Sequence, residues 1–301
     1  MSAPADAVLA AVEAVGGQPL PDGVAAMAAH AAARFGPAAA SVLFYGSCLR
    51  ARTTEGILDF YVLVDGYRAA YGRFGLAAAN AILPPNVFYL EAPLGERMLR
   101  AKVAVMTVAA FARAVAPGAF MPTVWARFCQ PAVVAWARGP DEAREARALL
   151  ARAVVTAAVH AVPLAPAGAS AQALWTALFA ATYRAELRAE GGGRAADVVA
   201  AWPGFYAAVT APAIVGVGEA DAASRARARR AWALRRVLGK VLNALRLVKA
   251  LYTFEGGVDY VLWKIERHTG RRPAISPWQR RHPLLALPCV AWRLYRQGVL
   301  R

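Results

Sequence analysis

A Gly-Ser pair and one aspartate are the residues of this chain whose types and spacing could do chemistry. Gly46-Ser47 ends a short apolar run, and about a dozen residues later a second apolar run carries the carboxylate of Asp59. A glycine lets the backbone come close to a triphosphate, and a hydroxyl with free N–H groups at a helix start can bind its oxygens. A carboxylate on the neighbouring strand can bind Mg²⁺. The order strand, Gly-Ser, helix, strand, Asp predicts a Mg²⁺-dependent nucleotidyltransferase site.

The second metal ligand is not where such sites usually carry it. Most nucleotidyltransferases have a second carboxylate two residues after the first, and that position here is Tyr61. Asp65 lies six residues beyond Asp59, about 20 Å along an extended strand, so it cannot share a metal with Asp59 and is expected to cap the turn that follows. The first candidate is Glu91, at the end of the NVFYLE strand, and the second is Glu55.

Two cations are candidates for binding the nucleotide phosphates together with Gly46 and Ser47. Lys102 lies in the apolar run RAKVAVM, and Arg127 lies in the segment WARFCQP. Each could instead be an ordinary solvated charge, and the sequence leaves both interpretations open.

The stretch around this site resembles a known family. VLFYGSCLR followed by GILDFYVLVD is similar to the YGS(G) and (M/I)IDF motifs of the mitochondrial-type phosphatidate cytidylyltransferases. These are the peripheral CDP-diacylglycerol synthases linked to mitochondrial translocator maintenance. Asn80 with the following LPPNVFYLE takes the position of the family's WH..N…HYS segment, and the stretch from Trp125 to Pro131 resembles its AGRLQKPVKI.

The resemblance extends over roughly residues 40–210. Tyr183-Arg184 takes the position of the family's (D)FR segment, and AADVVAAWPGFYAAV resembles its NIV…F…Y stretch. The family's Trp-His pair after the aspartate strand is missing, and Gln130 and Val133 stand where the family has lysines.

The resemblance implies a reaction: CTP and phosphatidate give CDP-diacylglycerol and diphosphate. CTP and phosphatidate come from the resemblance alone, since the residue chemistry indicates only nucleotidyl transfer. A phosphate monoester acceptor already carries charge, so it needs little help from a general base. Two other classes stay open: a nucleotidyltransferase acting on RNA or a small soluble acceptor, and a non-catalytic nucleotide-binding scaffold. Nucleic acid is not the expected partner, because aromatic residues do not interleave with the basic run of residues 225–249.

The elements that must position these residues indicate an α+β fold. Apolar runs rich in Val, Leu, Phe and Tyr and bounded by Gly or Pro predict five strands: 41–45, 58–64, 87–91, 101–107 and 132–136. Helical patterns follow or flank them at these ranges: one or two helices within 5–35, then 67–82, 108–115, 140–160, 171–189, 193–208 and 221–252, and a last piece after Pro283.

We predict three regions from this pattern. Residues 1–138 form a nucleotidyltransferase-like domain with a mixed β-sheet, residues 139–224 form an all-helical domain, and residues 225–301 form a basic helical tail.

The stretch 153–183 contains no Lys, Arg, Asp or Glu, and it is long enough to cross a bilayer. The PLAPAGAS segment interrupts them, so we expect two helices joined by a turn.

Charge is concentrated at the end of the chain. The net charge is +16, and eighteen of the 35 basic residues but three of the 19 acidic ones lie in residues 225–301. Such a local excess predicts a polyanionic partner surface.

Within 231–252 apolar residues recur at helical spacing and form a stripe, with basic residues off the stripe. The helix could pack its stripe on the body and solvate its basic face, or its basic face could meet anionic headgroups.

The final segment predicts contact with an anionic membrane. LLALPCVAWRLYRQGVLR mixes apolar residues with aromatic and basic ones, and Trp292, Arg293, Tyr295 and Arg296 are the expected contact residues.

The three cysteines are far apart and form no CxxC pair, which favours a reducing compartment. The N-terminus has no pattern of a signal peptide. We therefore expect a cytoplasmic protein that is peripheral on the inner face of the cell membrane.

Overall fold

The sheet that carries the candidate site has five strands in a mixed arrangement. A computed structural model describes residues 3–185 and 193–253, with Ser276, Trp278 and Gln279. The strands are β1 (Ala39–Tyr45), β2 (Ile57–Val64), β3 (Asn86–Leu94), β4 (Arg97–Thr107) and β5 (Val133–Ala137), in the spatial order β3-β4-β2-β1-β5. Neighbours are antiparallel except β2 and β4, which are parallel. The five strands predicted from the sequence are confirmed, with ends that differ by at most four residues.

The helices surround this sheet and continue beyond it. They are α1 (Ala3–Gly16), α2 (Val24–Ala33), α3 (Ser47–Ala51), α4 (Tyr67–Tyr71), α5 (Phe74–Ile82), α6 (Val108–Ala114), α7 (Trp125–Phe128), α8 (Pro140–Ala161), α9 (Ala171–Ala185), α10 (Arg194–Ala200), α11 (Pro203–Ala213) and α12 (Ala222–Thr253). Short 3₁₀ turns lie at Gly36–Ala38 and Val162–Leu164. The α+β fold class is confirmed.

Local chemistry sets several helix boundaries. α8 begins with Pro140, whose missing N–H is not needed in the first turn of a helix. Asp141 and Glu142 follow, and their negative charges interact favourably with the positive end of the helix dipole. The Thr107 hydroxyl accepts a hydrogen bond from Ala110 N at 3.1 Å and caps α6. The single helix predicted over 67–82 is wrong, because Gly72 adopts φ 60° and ends α4. The single helix predicted over 193–208 is also wrong, because α10 ends at Ala200 and a separate helix, α11, begins with Pro203.

The core is continuous across the described chain. Buried apolar residues from Val8 on α1 to Trp232 on α12 belong to one hydrophobic cluster, whose largest members include Trp125 and Trp175. The described parts of the three regions predicted from the sequence pack together through this cluster. Its extent means that the sheet and the helices after it stabilise one another by burial.

The charge-free stretch 153–183 is divided between two helices, as expected. α8 and the 3₁₀ turn after it end at Leu164, and α9 begins at Ala171. By length and composition, Pro140–Leu164 is one helix that could cross a membrane, and half of its most apolar window is buried inside the protein.

α12 does not pack its apolar stripe on the body of the protein. Arg235 is 3% exposed, whereas Leu245 on the apolar stripe is 50% exposed. The guanidinium of Arg235 donates through Nε to Phe120 O at 2.7 Å and lies over the ring of Trp232 at 4.7 Å. The expectation of a packed apolar stripe with a solvated basic face is therefore wrong. The helical piece expected after Pro283 lies outside the described residues.

Candidate active site

Gly46 has a backbone conformation that side-chain-bearing residues rarely adopt. It follows the last residue of β1 with φ 90° and ψ −157° and precedes the first residue of α3. A β-carbon built on Gly46 would lie 2.7 Å from Oδ2 of Asp59, closer than non-bonded atoms can approach. Tyr45 pairs with Asp59 across β1 and β2. This turn therefore needs glycine for its conformation and for the space that Asp59 takes.

A cavity of about 270 Å³ opens at this end of the sheet. Five predicted site residues line it: Gly46, Ser47, Asp59, Lys102 and Arg127. Further polar lining residues are Tyr45, Arg50, Tyr61, Gln130, Tyr183 and Arg194, and the apolar ones are Pro85, Val87, Ala104 and Val198. The structure thus brings together every predicted nucleotide-binding residue and the predicted catalytic aspartate.

The charge of the cavity suits an anionic ligand. Four cations line it, Arg50, Lys102, Arg127 and Arg194, and Asp59 is the one acidic residue among the lining residues. Arginine and lysine are the usual protein ligands of phosphate groups. An excess of positive charge over one carboxylate is the balance expected of a site for a multiply charged phosphate chain with one metal ion.

Lys102 lies beside Asp59 in the sheet. The parallel pairing of β2 and β4 makes their Cα atoms direct partners, about 4.8 Å apart. The side chain of Lys102 is exposed and that of Asp59 is half-buried. The pairing places one negative and one positive side chain side by side on the cavity floor.

Tyr61 takes the position at which a second carboxylate was sought. It is fully buried, and its hydroxyl accepts a hydrogen bond from Arg127 Nη1 at 3.2 Å. Its ring packs edge-on against Phe128, with centroids 5.0 Å apart. The guanidinium of Arg127 also lies 5.8 Å from the ring centroid of Tyr45. At this position the protein has an aromatic residue that orients a cation, in place of a metal ligand.

Glu91, the first candidate for the second metal ligand, is not brought to Asp59. It lies on β3 opposite Arg100, and the sheet spacings place its Cα roughly 12 Å from that of Asp59. Arg100 Nε lies 3.2 Å from Oε1 of Glu91, and the Tyr89 hydroxyl donates to the same oxygen at 2.8 Å. The cavity lining includes neither Glu91 nor Glu55. The Glu91 carboxylate is bound by its own strand pair instead.

The oxygen donors of the cavity fit a magnesium ion that binds together with phosphate. Within residues 3–185 and 193–253, no group of three or more His, Cys, Asp or Glu side chains could hold a metal ion. Mg²⁺ is commonly bound by one or two carboxylates with substrate phosphates and waters. The carboxylate of Asp59 and the hydroxyl of Ser47, which line the same cavity, match that donor set.

Other segments that carry the family resemblance have structural roles beside the cavity. Asn80 is buried and donates through Nδ2 to Val105 O at 2.9 Å, while its Oδ1 accepts from Asn86 N at 2.7 Å. It thereby ties α5 to β3 and β4. The stretch from Trp125 to Pro131 forms α7 and the turn after it, which places Arg127 and Gln130 in the cavity wall.

Sequence reasoning missed two of the cations. Arg50 lies one helical turn after Ser47, so its spacing from the Gly-Ser pair was a usable signal. Arg194 and Tyr183 come from α10 and α9, and no local pattern links them to the Gly-Ser motif. The proposed membrane residues Trp292, Arg293, Tyr295 and Arg296 lie outside the described residues.

Comparison with protein-family models finds no match to this chain, and comparison with curated proteins finds no significant match.

Proposed function

We propose that the protein is a cytidylyltransferase that makes CDP-diacylglycerol and diphosphate from CTP and phosphatidate. The observation that carries this proposal is the convergence of Gly46-Ser47, Asp59 and four cations on one cavity. The sheet would then be a nucleotidyltransferase-like domain. CTP and phosphatidate enter through the sequence resemblance over residues 40–210, and the cavity supports the nucleotidyl-transfer step.

The geometry supports a role for each of these residues. Gly46 lets the chain approach the triphosphate closely, and the exposed hydroxyl of Ser47 donates to a phosphate oxygen. Lys102 and Arg127 neutralise the triphosphate, with Arg50 and Arg194 adding charge on the same cavity. Asp59 would hold Mg²⁺, which supplies neutralisation of the diphosphate leaving group.

The acceptor is expected to be a phosphate monoester. Its oxygen is already charged near neutral pH, so attack on the α-phosphorus needs no proton removal. The cavity lining contains no histidine, in keeping with such an acceptor. The four cations would hold two anionic reactants close together, which favours reaction by proximity. A phosphatidate acceptor places the enzyme at an anionic membrane surface, peripheral on the cytoplasmic face.

A nucleotide-binding scaffold is the second candidate, and one observation favours it. Tyr61 at the second-carboxylate position binds Arg127, and Lys102 adjoins Asp59. A site with one carboxylate could bind nucleotide without transferring it.

The test is product analysis with the full chain. Purified protein is incubated with Mg²⁺, phosphatidate vesicles and each of the four nucleoside triphosphates in turn, and lipids are analysed by mass spectrometry. CDP-diacylglycerol from CTP alone, lost in Asp59→Asn, is the expected result. CTP binding without any lipid or soluble product would support the scaffold, and transfer to RNA or a soluble acceptor would replace phosphatidate as substrate.

A further inference from the structure

α12 turns an apolar stripe away from the protein. Its members are 38% to 77% exposed and recur at helical spacing; we call them the outer stripe: Leu234, Val237, Leu238, Val241, Leu245, Val248 and Tyr252. At 100° per residue they lie within an arc of about 100°, and they extend about 27 Å along the helix. Large contiguous apolar surfaces of this kind mark interaction sites.

The opposite face of α12 is fixed to the body, so the orientation of the stripe is set by packing. A β-carbon on Gly239 would lie 2.2 Å from Ala185 O at the end of α9, which means that the two backbones touch there. Trp232 and Arg235 are buried on the same face. Rotating the helix to bury the outer stripe would break this contact and expose those two side chains.

The charges of α12 have one sign. The helix from Ala222 to Thr253 contains nine basic residues and no acidic one. Lys240 is exposed and lies beside the outer stripe, and Arg227 and Arg230, also exposed, continue the direction of the stripe toward the N-terminus of the helix. An anionic partner surface therefore complements this face.

We propose that the outer stripe of α12 docks on an anionic phospholipid bilayer, with the helix axis along the membrane plane. Helices that combine an apolar face with flanking Lys and Arg bind at the boundary between headgroups and acyl chains. Each basic residue near such a surface contributes further attraction. Tyr252, at the end of the stripe, is an aromatic residue of the kind enriched at that boundary. A bilayer meets the apolar and the cationic requirements of this face together.

Docking would hold the cavity beside the membrane. Arg246 Nε donates to Pro84 O at 3.0 Å, and Lys249 Nζ donates to Pro85 O at 2.6 Å and to Leu83 O. Pro85 lines the cavity. The docked helix is thus joined to the cavity wall through three consecutive carbonyls. The importance of this connection for catalysis rests on the proposed function, in which a lipid acceptor must reach the cavity from the bilayer. The docking of α12 does not depend on that function.

The test compares two charge-introducing double variants of the full chain. Val241→Glu with Leu245→Glu changes the outer stripe at positions 51% and 50% exposed. Val215→Glu with Met98→Glu adds the same charge at residues 62% and 43% exposed outside α12. Binding is measured by co-sedimentation with phosphatidylcholine vesicles, with and without phosphatidylglycerol. The latter lipid is anionic without being the proposed substrate, and CTP binding is measured in parallel.

The wild-type chain is expected to bind the phosphatidylglycerol vesicles, and the stripe variant to bind them about tenfold or more weakly. The control variant should stay within about twofold of wild type, and neither variant should change CTP binding. Docking without CTP binding would leave this inference standing and overturn the proposed function. Equal vesicle binding by wild type and stripe variant, or an equal loss in the control, would overturn the docking surface. Two other results would also overturn it, because they would show that the stripe is covered by protein. One is a wild-type dimer that the stripe substitutions dissociate. The other is a wild-type chain that does not bind vesicles, together with a stripe variant that melts at a lower temperature.

Discussion

Gly46 and Asp59 are so close across β1 and β2 that a β-carbon on Gly46 would overlap the Asp59 carboxylate, at 2.7 Å from Oδ2. Gly46→Ala is therefore expected to displace Asp59 as well as strain the backbone at φ 90°. We expect Mg²⁺-dependent CTP binding, measured by calorimetric titration, to fall below detection while circular dichroism stays that of the wild type.

Gly36→Ala is the matched control for this change. Gly36 also has a positive φ, 53°, but nothing lies within 4 Å of a β-carbon built there. It should cost about 1 kcal/mol of stability and leave CTP affinity unchanged. Equal losses of CTP affinity in both variants would mean that backbone strain, and not the position of Asp59, explains the Gly46 result.

Asp59→Asn tests the metal-binding role directly. The amide keeps the size of the side chain but removes the one negative charge of the cavity lining. Turnover should fall by several orders of magnitude, and the Mg²⁺ dependence of CTP binding should disappear, while CTP without Mg²⁺ binds as well or better among the four cations. Near-normal turnover in the purified variant would contradict the assignment.

Much of this site could be predicted because its signals are local. The apolar runs that form β1 and β2 are continuous, so both strands are easy to predict. The Gly-Ser pair comes directly after β1, and the pairing of β1 with β2 brings Asp59 beside it. Glu91 is also on a correctly predicted strand. Its distance from Asp59 depends on strand order, since β4 lies between β2 and β3, and strand order is not written in the spacing of one strand.

α12 shows a second limit. The spacing of its apolar residues predicts a helix but does not say which face packs. Here the close approach of Gly239 to Ala185 O and the buried Arg235 select the face with fewer apolar side chains. Arg194 was missed for a similar reason, because its place at the cavity depends on the packing of α10 on α9 and α11.

Tyr61→Phe tests whether Arg127 needs its orienting partner. The change removes the hydroxyl that accepts from Arg127 at 3.2 Å and keeps the ring that packs on Phe128. One hydrogen bond to a charged group is worth about 1.5 kcal/mol, so the KM for CTP should rise about tenfold with little change in melting temperature. An unchanged KM would show that Arg127 is held by its other contacts.

Arg194→Gln tests the contribution of α10 to the cavity. Removing one of four lining cations should weaken CTP binding about tenfold at low salt, and less at high salt because screening already reduces its attraction. Arg184→Gln is the control, since Arg184 is exposed on α9 and does not line the cavity. If both variants lose affinity equally, the effect is one of overall charge.

His160 predicts how stability depends on pH. It lies in α8, stacked on Trp125 with ring centroids 4.9 Å apart, and its Nδ1 is 3.4 Å from Nη2 of Arg235. Burial, and then the charge of Arg235, lower the pKa of His160 from 6.5 to about 4. Between those values the unfolded chain binds the proton and the folded chain does not. The stabilisation is therefore complete above pH 6.5 and is lost as the pH falls toward 4.

We expect this loss to reach about 3 kcal/mol. His160→Gln keeps a neutral group beside Arg235 and should remove that part of the pH dependence, so that urea unfolding of wild type and variant converges at low pH. His30→Gln is the control, because His30 is exposed on α2 and distant in sequence from α8; this variant should keep the pH dependence that His160→Gln removes. All acidic residues are shared by the three proteins, so their contributions cancel in the comparison. A wild-type curve parallel to that of His160→Gln between pH 7 and 4 would mean that His160 is protonated in the folded protein without cost.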